Sequence, residues 1–143
     1  MTVLKSYQET IDYLFQKLPM YQRDGASAYK KDLTNTIKLC AMAGNPQDKL
    51  KCIHIAGTNG KGTTSHIIAA GLQAQGYKTG VYTSPHYKDF RERIKINGQF
   101  INLRFITDFF NKYRLEIEAI EPSFFEITVV LAFAWFADQE IDY

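Results

Sequence analysis

Residues 57 to 64 read Gly-Thr-Asn-Gly-Lys-Gly-Thr-Thr, three glycines around one lysine, and the short stretch Ile53-His-Ile-Ala56 runs straight into them. These residue types suit the phosphates of a nucleotide. Gly57, Gly60 and Gly62 let the backbone turn tightly and bring its amides close to an anion. Lys61 adds a point charge for the outer phosphates, and Thr58 and Asn59 complete the bend. Thr63 and Thr64 open a helix whose first amides and positive dipole end favour negative charge.

The spacing departs from the common Walker A pattern. That pattern puts glycine where Ile55 stands and Ser or Thr where Gly62 stands. A glycine-rich strand-to-helix turn with a solvated lysine is the bland alternative. The preceding apolar stretch, the three glycines and the Thr-Thr helix start count against it.

The elements that position this loop follow from periodicity. Leu4, Tyr7, Ile11, Leu14, Phe15 and Leu18 predict a first amphipathic helix over 3–18, ended by Pro19. Residues 20–31, with Tyr21 and Tyr29, read as a polar loop. A second helix over 32–43 closes at Gly44-Asn45-Pro46. Strand 52–56, the phosphate loop, helix 61–75 stopping at Gly76, and strand 79–83 make a βαβ unit, which predicts a parallel sheet with a right-handed crossover. Asn97-Gly98 between Ile94-Lys95-Ile96 and Phe100-Ile101 is a hairpin signal. A helix over 103–120 uses Ile106, Phe109, Phe110, Tyr113, Ile117 and Ile120. The last helix, 124–137, starts with a capping box of Ser123 and Glu126. Residues 1–50 form a helical lead-in, and 51–143 hold the βαβ unit, hairpin and later helices.

Bulk composition sets limits. The chain has 143 residues, 45% hydrophobic and 22% charged, as expected for one soluble globular domain. A net charge of +2 gives no reason to expect nucleic acid or an anionic membrane as partner. The apolar run 127–137 is shorter than the roughly 20 residues a membrane span needs, and reads as a buried helix. No secretory leader is visible, because Glu9 and Asp12 interrupt the amphipathic start. Cys40 and Cys52 have no metal-ligand or redox spacing and read as packed, reduced thiols of a cytoplasmic protein. His54, His66 and His86 are scattered. The chain stops at Asp142-Tyr143 where a further strand would begin, which suggests a piece of a longer protein.

The motifs, taken in order, resemble the folylpolyglutamate synthase and dihydrofolate synthase family of Mur-ligase-like enzymes. The carrying residues are His54-Ile-Ala-Gly-Thr-Asn-Gly-Lys-Gly-Thr63, Tyr82-Thr-Ser-Pro-His86, Phe90-Arg-Glu-Arg-Ile94 with Ile96-Asn97-Gly98, and Ser123-Phe-Phe-Glu126 with Thr128 and Phe133. Gly44-Asn45-Pro46 also falls at the family's position. The resemblance implies an incomplete α/β, parallel-sheet P-loop-type ATPase domain like the Mur ligase central domain, without its C-terminal domain. It implies an ATP- and Mg2+-dependent ligase, cytoplasmic and monomeric, with folate or dihydropteroate and L-glutamate as substrates. ATP would phosphorylate a carboxylate and the amine of glutamate would displace the phosphate. Lys61 would carry the catalytic charge, Ser84 would hold Mg2+, and Ser123 and Phe125 would contact the pterin. The fragment alone is expected to make no product.

Read without the family, Ser84 caps a turn before Pro85, Arg91 and Arg93 belong to a solvated turn, and Phe125 is either a contact residue or core. Glu126 reads as a cap, not a metal ligand. Three other functions fit parts of the pattern: a Mur-type ligase for cell-wall precursors, a non-catalytic ATP-binding module, and a small kinase-like phosphotransferase.

Overall fold

The computed structural model describes residues 4, 6–19 and 32–143. The loop expected over 20–31 lies outside the described residues. Helix α1 (Tyr7–Lys17) starts where the Ser6 side chain accepts the Glu9 amide, and it buries Thr10, Ile11 and Leu14. Helix α2 (Thr34–Met42) buries Leu39 and Cys40. It ends as expected, because Gly44 and Asn45 both take positive φ, 80° and 52°, and the Asn45 amide reaches back to the Cys40 carbonyl at 2.7 Å. A 3-10 turn over Pro46–Lys49 follows. Helix α3 (Lys61–Ala74) is next, and Gly76 at φ 88° turns the chain away after it.

Strands β1 (Gly80–Tyr82), β2 (Ile94–Ile96) and β3 (Gln99–Phe100) form one sheet in the order β1-β2-β3. Both pairings are antiparallel, with Val81 opposite Lys95 and Lys95 opposite Phe100. Asn97 and Gly98 sit at φ 48° and 77°, the two positive values a type I′ hairpin turn requires.

The parallel βαβ sheet expected from the sequence therefore does not form among the described residues. One edge of β1 is taken by β2. The other is taken by the chain end: the Asp142 amide donates to the Lys78 carbonyl and the Gly80 amide to the Tyr143 carbonyl, each at 2.8 Å. Residues 52–56 pair with no strand among the described residues and run as irregular chain, with Ile53 54% exposed. Cys52 is exposed there too, contrary to the packed thiol expected, whereas Cys40 is buried; both are free.

Helices α4 (Leu103–Lys112), α5 (Arg114–Ile120) and α6 (Phe124–Asp138) complete the fold. The single helix expected over 103–120 is broken at Tyr113, whose φ −109° and ψ 16° leave the helical region. The core joins Leu14 of α1, Leu39 of α2, Ile106 and Phe110 of α4, Ile117 of α5, and Ile127, Val130 and Leu131 of α6 around Phe90, Ile94 and Ile101. Helix α6 is its centre, apolar on nearly every side. No described helix is long and apolar enough to cross a membrane.

Candidate functional site

The glycine bend stands open to solvent from Ala56 through Thr64. Gly60 lies at φ 78°, the left-handed region where a side chain is strained, and is the residue before α3. No side chain caps this helix start. The first intrahelical bond runs from the Thr64 amide to the Gly60 carbonyl at 2.9 Å, so the amides of Lys61, Gly62 and Thr63 precede the ladder. Gly62 is informative in another way. Its φ is not left-handed, and a Cβ there would meet nothing within 4 Å. Neither backbone strain nor packing asks for glycine at 62; a ligand approaching the helix start would.

Lys61 folds back over the bend, its Nζ donating to the carbonyls of Gly57 at 2.6 Å and Thr58 at 3.1 Å. Its ammonium is thus held at the bend by the bend's own carbonyls. Ser65 and His66 are turned the other way, onto the carbonyls of Lys61 and Gly62.

Ser84 is exposed just beyond β1, on a cis bond to Pro85. No group of three His, Cys, Asp or Glu side chains suited to a metal occurs among the described residues. The hydroxyls of Ser84, Thr63 and Thr64 are the available donors, and all are neutral. Such a set fits Mg2+ that arrives on nucleotide phosphates and keeps several waters, since the phosphates then supply the negative charge.

At the start of α6 the chain sorts its aromatic pair. Phe124 is 3% exposed and Phe125 56%. Phe125 is therefore not core: its ring faces outward, edge-on to Tyr82 of β1 at 6.3 Å. Ser123 is buried in its capping box as expected. Its Oγ donates to Glu126 Oε2 at 2.8 Å, its amide donates to the same oxygen at 2.7 Å, and the Glu126 amide returns to the Ser123 Oγ at 3.3 Å. That hydroxyl is committed to the helix start.

The segment after β1 is built, not loose. The Glu92 carboxylate accepts the amides of Tyr87, Lys88 and Asp89 at 2.8, 3.0 and 2.9 Å, and these bonds hold its pKa below the usual carboxylate range. Asp89 caps the 3-10 turn Phe90–Arg93 and pairs with Arg91, whose Nη2 is 2.5 Å away. Arg91 also lies over the rings of Tyr7 and Phe100. Arg93 overturns the solvated-turn reading. It is 3% exposed, its Nε donates to His86 Nδ1 at 2.7 Å, and its guanidinium covers Phe124 at 5.1 Å. Burial lowers its pKa, and the neighbouring Tyr82 side chain opposes that shift. The signal for this turn was present: Asp89-Phe-Arg-Glu92 has the spacing of Ser123-Phe-Phe-Glu126.

Tyr82, Arg93, His86, Phe124 and Phe125 are thus brought together between the end of β1 and the start of α6. Two hollows, of about 320 Å³ beside Phe105, Phe109 and Tyr113, and about 190 Å³ between His66 and Val81, lie elsewhere and contain none of the expected site residues.

No protein-family model matches the chain. It is 33% identical to the dihydrofolate synthase/folylpolyglutamate synthase of Bacillus subtilis over 145 residues, 96% of this chain and 32% of that protein. Its fold superposes on the crystal structure of folylpolyglutamate synthase from Thermotoga maritima with a TM-score of 0.82 at 34% identity, covering 95% of this chain and 31% of the other. The chain belongs to the folylpolyglutamate synthase/dihydrofolate synthase family. A second family member, the Mycobacterium tuberculosis folylpolyglutamate synthase complexed with ADP, matches with a TM-score of 0.81 at 29% identity, over 95% of this chain and 30% of that one. The chain spans about a third of the length of these family members.

Proposed function

We propose that the chain contributes the phosphate-binding part of an ATP-dependent ligase that adds L-glutamate to folates or joins it to dihydropteroate. The observation that carries this reading is the glycine bend with Lys61 at an uncapped helix start, in a chain whose relatives are folate ligases.

The chemistry follows from the residues. Phosphoryl transfer depends on position and charge neutralisation more than on covalent help from the protein. The amides of Lys61, Gly62 and Thr63 take phosphate oxygens, and Lys61 leaves the carbonyls of Gly57 and Thr58 for the β- and γ-phosphates. Ser84 with Thr63 or Thr64 would hold magnesium, which would supply further charge neutralisation when bound. Phe125 offers an exposed flat face on which a pterin ring can stack. The substrate carboxylate takes the γ-phosphoryl group, ADP leaves, and the amine of glutamate displaces phosphate to give the amide. Ser123 contributes by fixing the start of α6 and with it the direction of Phe125.

In the wider protein we place this unit in a parallel-sheet P-loop-type ATPase domain, cytoplasmic and monomeric. Residues 142–143 lie alongside 78–80 in the same chain sense, which supports that arrangement. The test is equilibrium binding of Mg-ATP to this chain and to Lys61→Ala. The variant should bind about 10- to 100-fold more weakly, or about 1.4 to 2.8 kcal/mol. Unchanged affinity would remove the phosphate-site reading. ADP release by the 143-residue chain with folate and glutamate is expected to be nil.

A further inference from the structure

Arg93 is the one buried cation among the described residues. Two positions earlier, the more exposed Arg91 has a carboxylate partner in Asp89. Arg93 has none: the ion pairs among the described residues are Arg91–Asp89, Arg104–Asp108 and Arg114–Glu118. What surrounds the Arg93 guanidinium is neutral, namely Nδ1 of His86, the Tyr82 side chain and the face of the Phe124 ring. Withdrawing a cation from water without a counter-ion is costly, and an apolar side chain of similar length would serve the packing as well.

Its place in the fold supplies a reason to keep the charge. Tyr82 lies two residues before Ser84, and Phe124 directly precedes the exposed Phe125, whose ring meets Tyr82 edge-on. The guanidinium neighbours Tyr82, and Tyr82 in turn meets the exposed Phe125, so that one aromatic ring stands between the charge and the surface there. Behind that ring its charge is screened less than that of a fully solvated cation.

We propose that Arg93 is the buried counter-charge for a carboxylate of the substrate held at that surface, acting through its field as a positioning residue. The proposal deepens the folate-ligase reading and rests on it. The substrate it favours is the carboxylate form of a pteroyl compound over an uncharged analogue of the same shape.

The experiment compares this chain with Arg93→Met and Arg93→Lys. For each, the melting temperature is measured, together with affinity for pteroic acid and for its uncharged methyl ester. Arg93→Met should melt no lower than the parent chain, because an unpaired dry cation has been replaced by an apolar side chain. It should bind pteroate about 10-fold more weakly while ester binding stays within about twofold. Arg93→Lys should keep most of the preference for the acid. Equal weakening of acid and ester, or an unchanged preference in Arg93→Met, would overturn the proposal in favour of a packing role. Should Arg93→Met fail to fold, Arg93→Gln, which keeps a hydrogen-bond donor for His86 without the charge, takes its place: loss of the acid preference supports the proposal, and an unchanged preference or equal weakening of both ligands overturns it. A parent chain that binds Mg-ATP but neither pteroyl ligand would overturn the folate reading and this proposal together; one that binds both equally would overturn this proposal alone.

Discussion

Asp89 shows how one side chain can serve a turn, a helix and an ion pair together. It caps the 3-10 turn, accepts the Tyr7 hydroxyl at 3.0 Å and holds Arg91. The hydrogen bond from Arg91 is the main reason its pKa falls from 3.8 to about 2, against the opposing effect of burial. A carboxylate whose folded value is depressed stabilises the protein above its unfolded value, and that contribution is lost as pH falls from near 4 towards 2. Allowing for solvent around this pair, the loss should be about 1 kcal/mol. Asp89→Asn should remove that share of the slope in a series of acid melts. At this scale the glycine bend was legible because its residue types have few other uses. The opposite fates of Phe124 and Phe125 were not, since α6 is apolar on almost every face and gives periodicity no phase to read. Nor does a run of four charges and a phenylalanine reveal that Arg93 is the one taken inside.

Between elements, β1 comes close to α6 and to the chain that follows it. A Cβ on Gly80 would stand 2.7 Å from the Ile141 side chain and 2.9 Å from the Phe136 ring. Gly80→Ala should therefore destabilise the fold by about 1 to 3 kcal/mol, seen as a lower denaturant midpoint, because overpacking forces β1 or the aromatic ring to move. Local signals did well here: the Ser123 capping box and the Asn97-Gly98 hairpin are contained within a few residues of sequence, whereas the equally local Asp89 box was not expected. The break at Tyr113 was hidden because Ile106, Phe109, Phe110, Tyr113, Ile117 and Ile120 keep one apolar stripe through it. The parallel sheet is absent from the three-stranded ladder for a different reason. Strand pairing is long-range, and what a sequence pattern places next to β1 is α3, whereas the ladder is filled by β2 and by residues 142–143.

Across the molecule, order is unevenly spread. The core gathers α1, α2, α4, α5 and α6, while α3 buries Ala69 alone and leaves Ile67 67% exposed. Amides of 57–64 should accordingly exchange with solvent faster than those of α6, and Mg-ATP should slow the former while leaving the latter unchanged, as read by hydrogen exchange. Among the described residues, 87–89 and 61–63 both present backbone amides outside any ladder, and they differ in who occupies them. At 87–89 the Glu92 carboxylate is a resident plug, tethered and present at every ligand concentration. A free phosphate or sulfate would have to evict it, and only acid strong enough to protonate it would vacate the seat. The chain thus silences one cluster of amides from within, while the uncapped start of α3, on the function proposed for it, is kept for visitors.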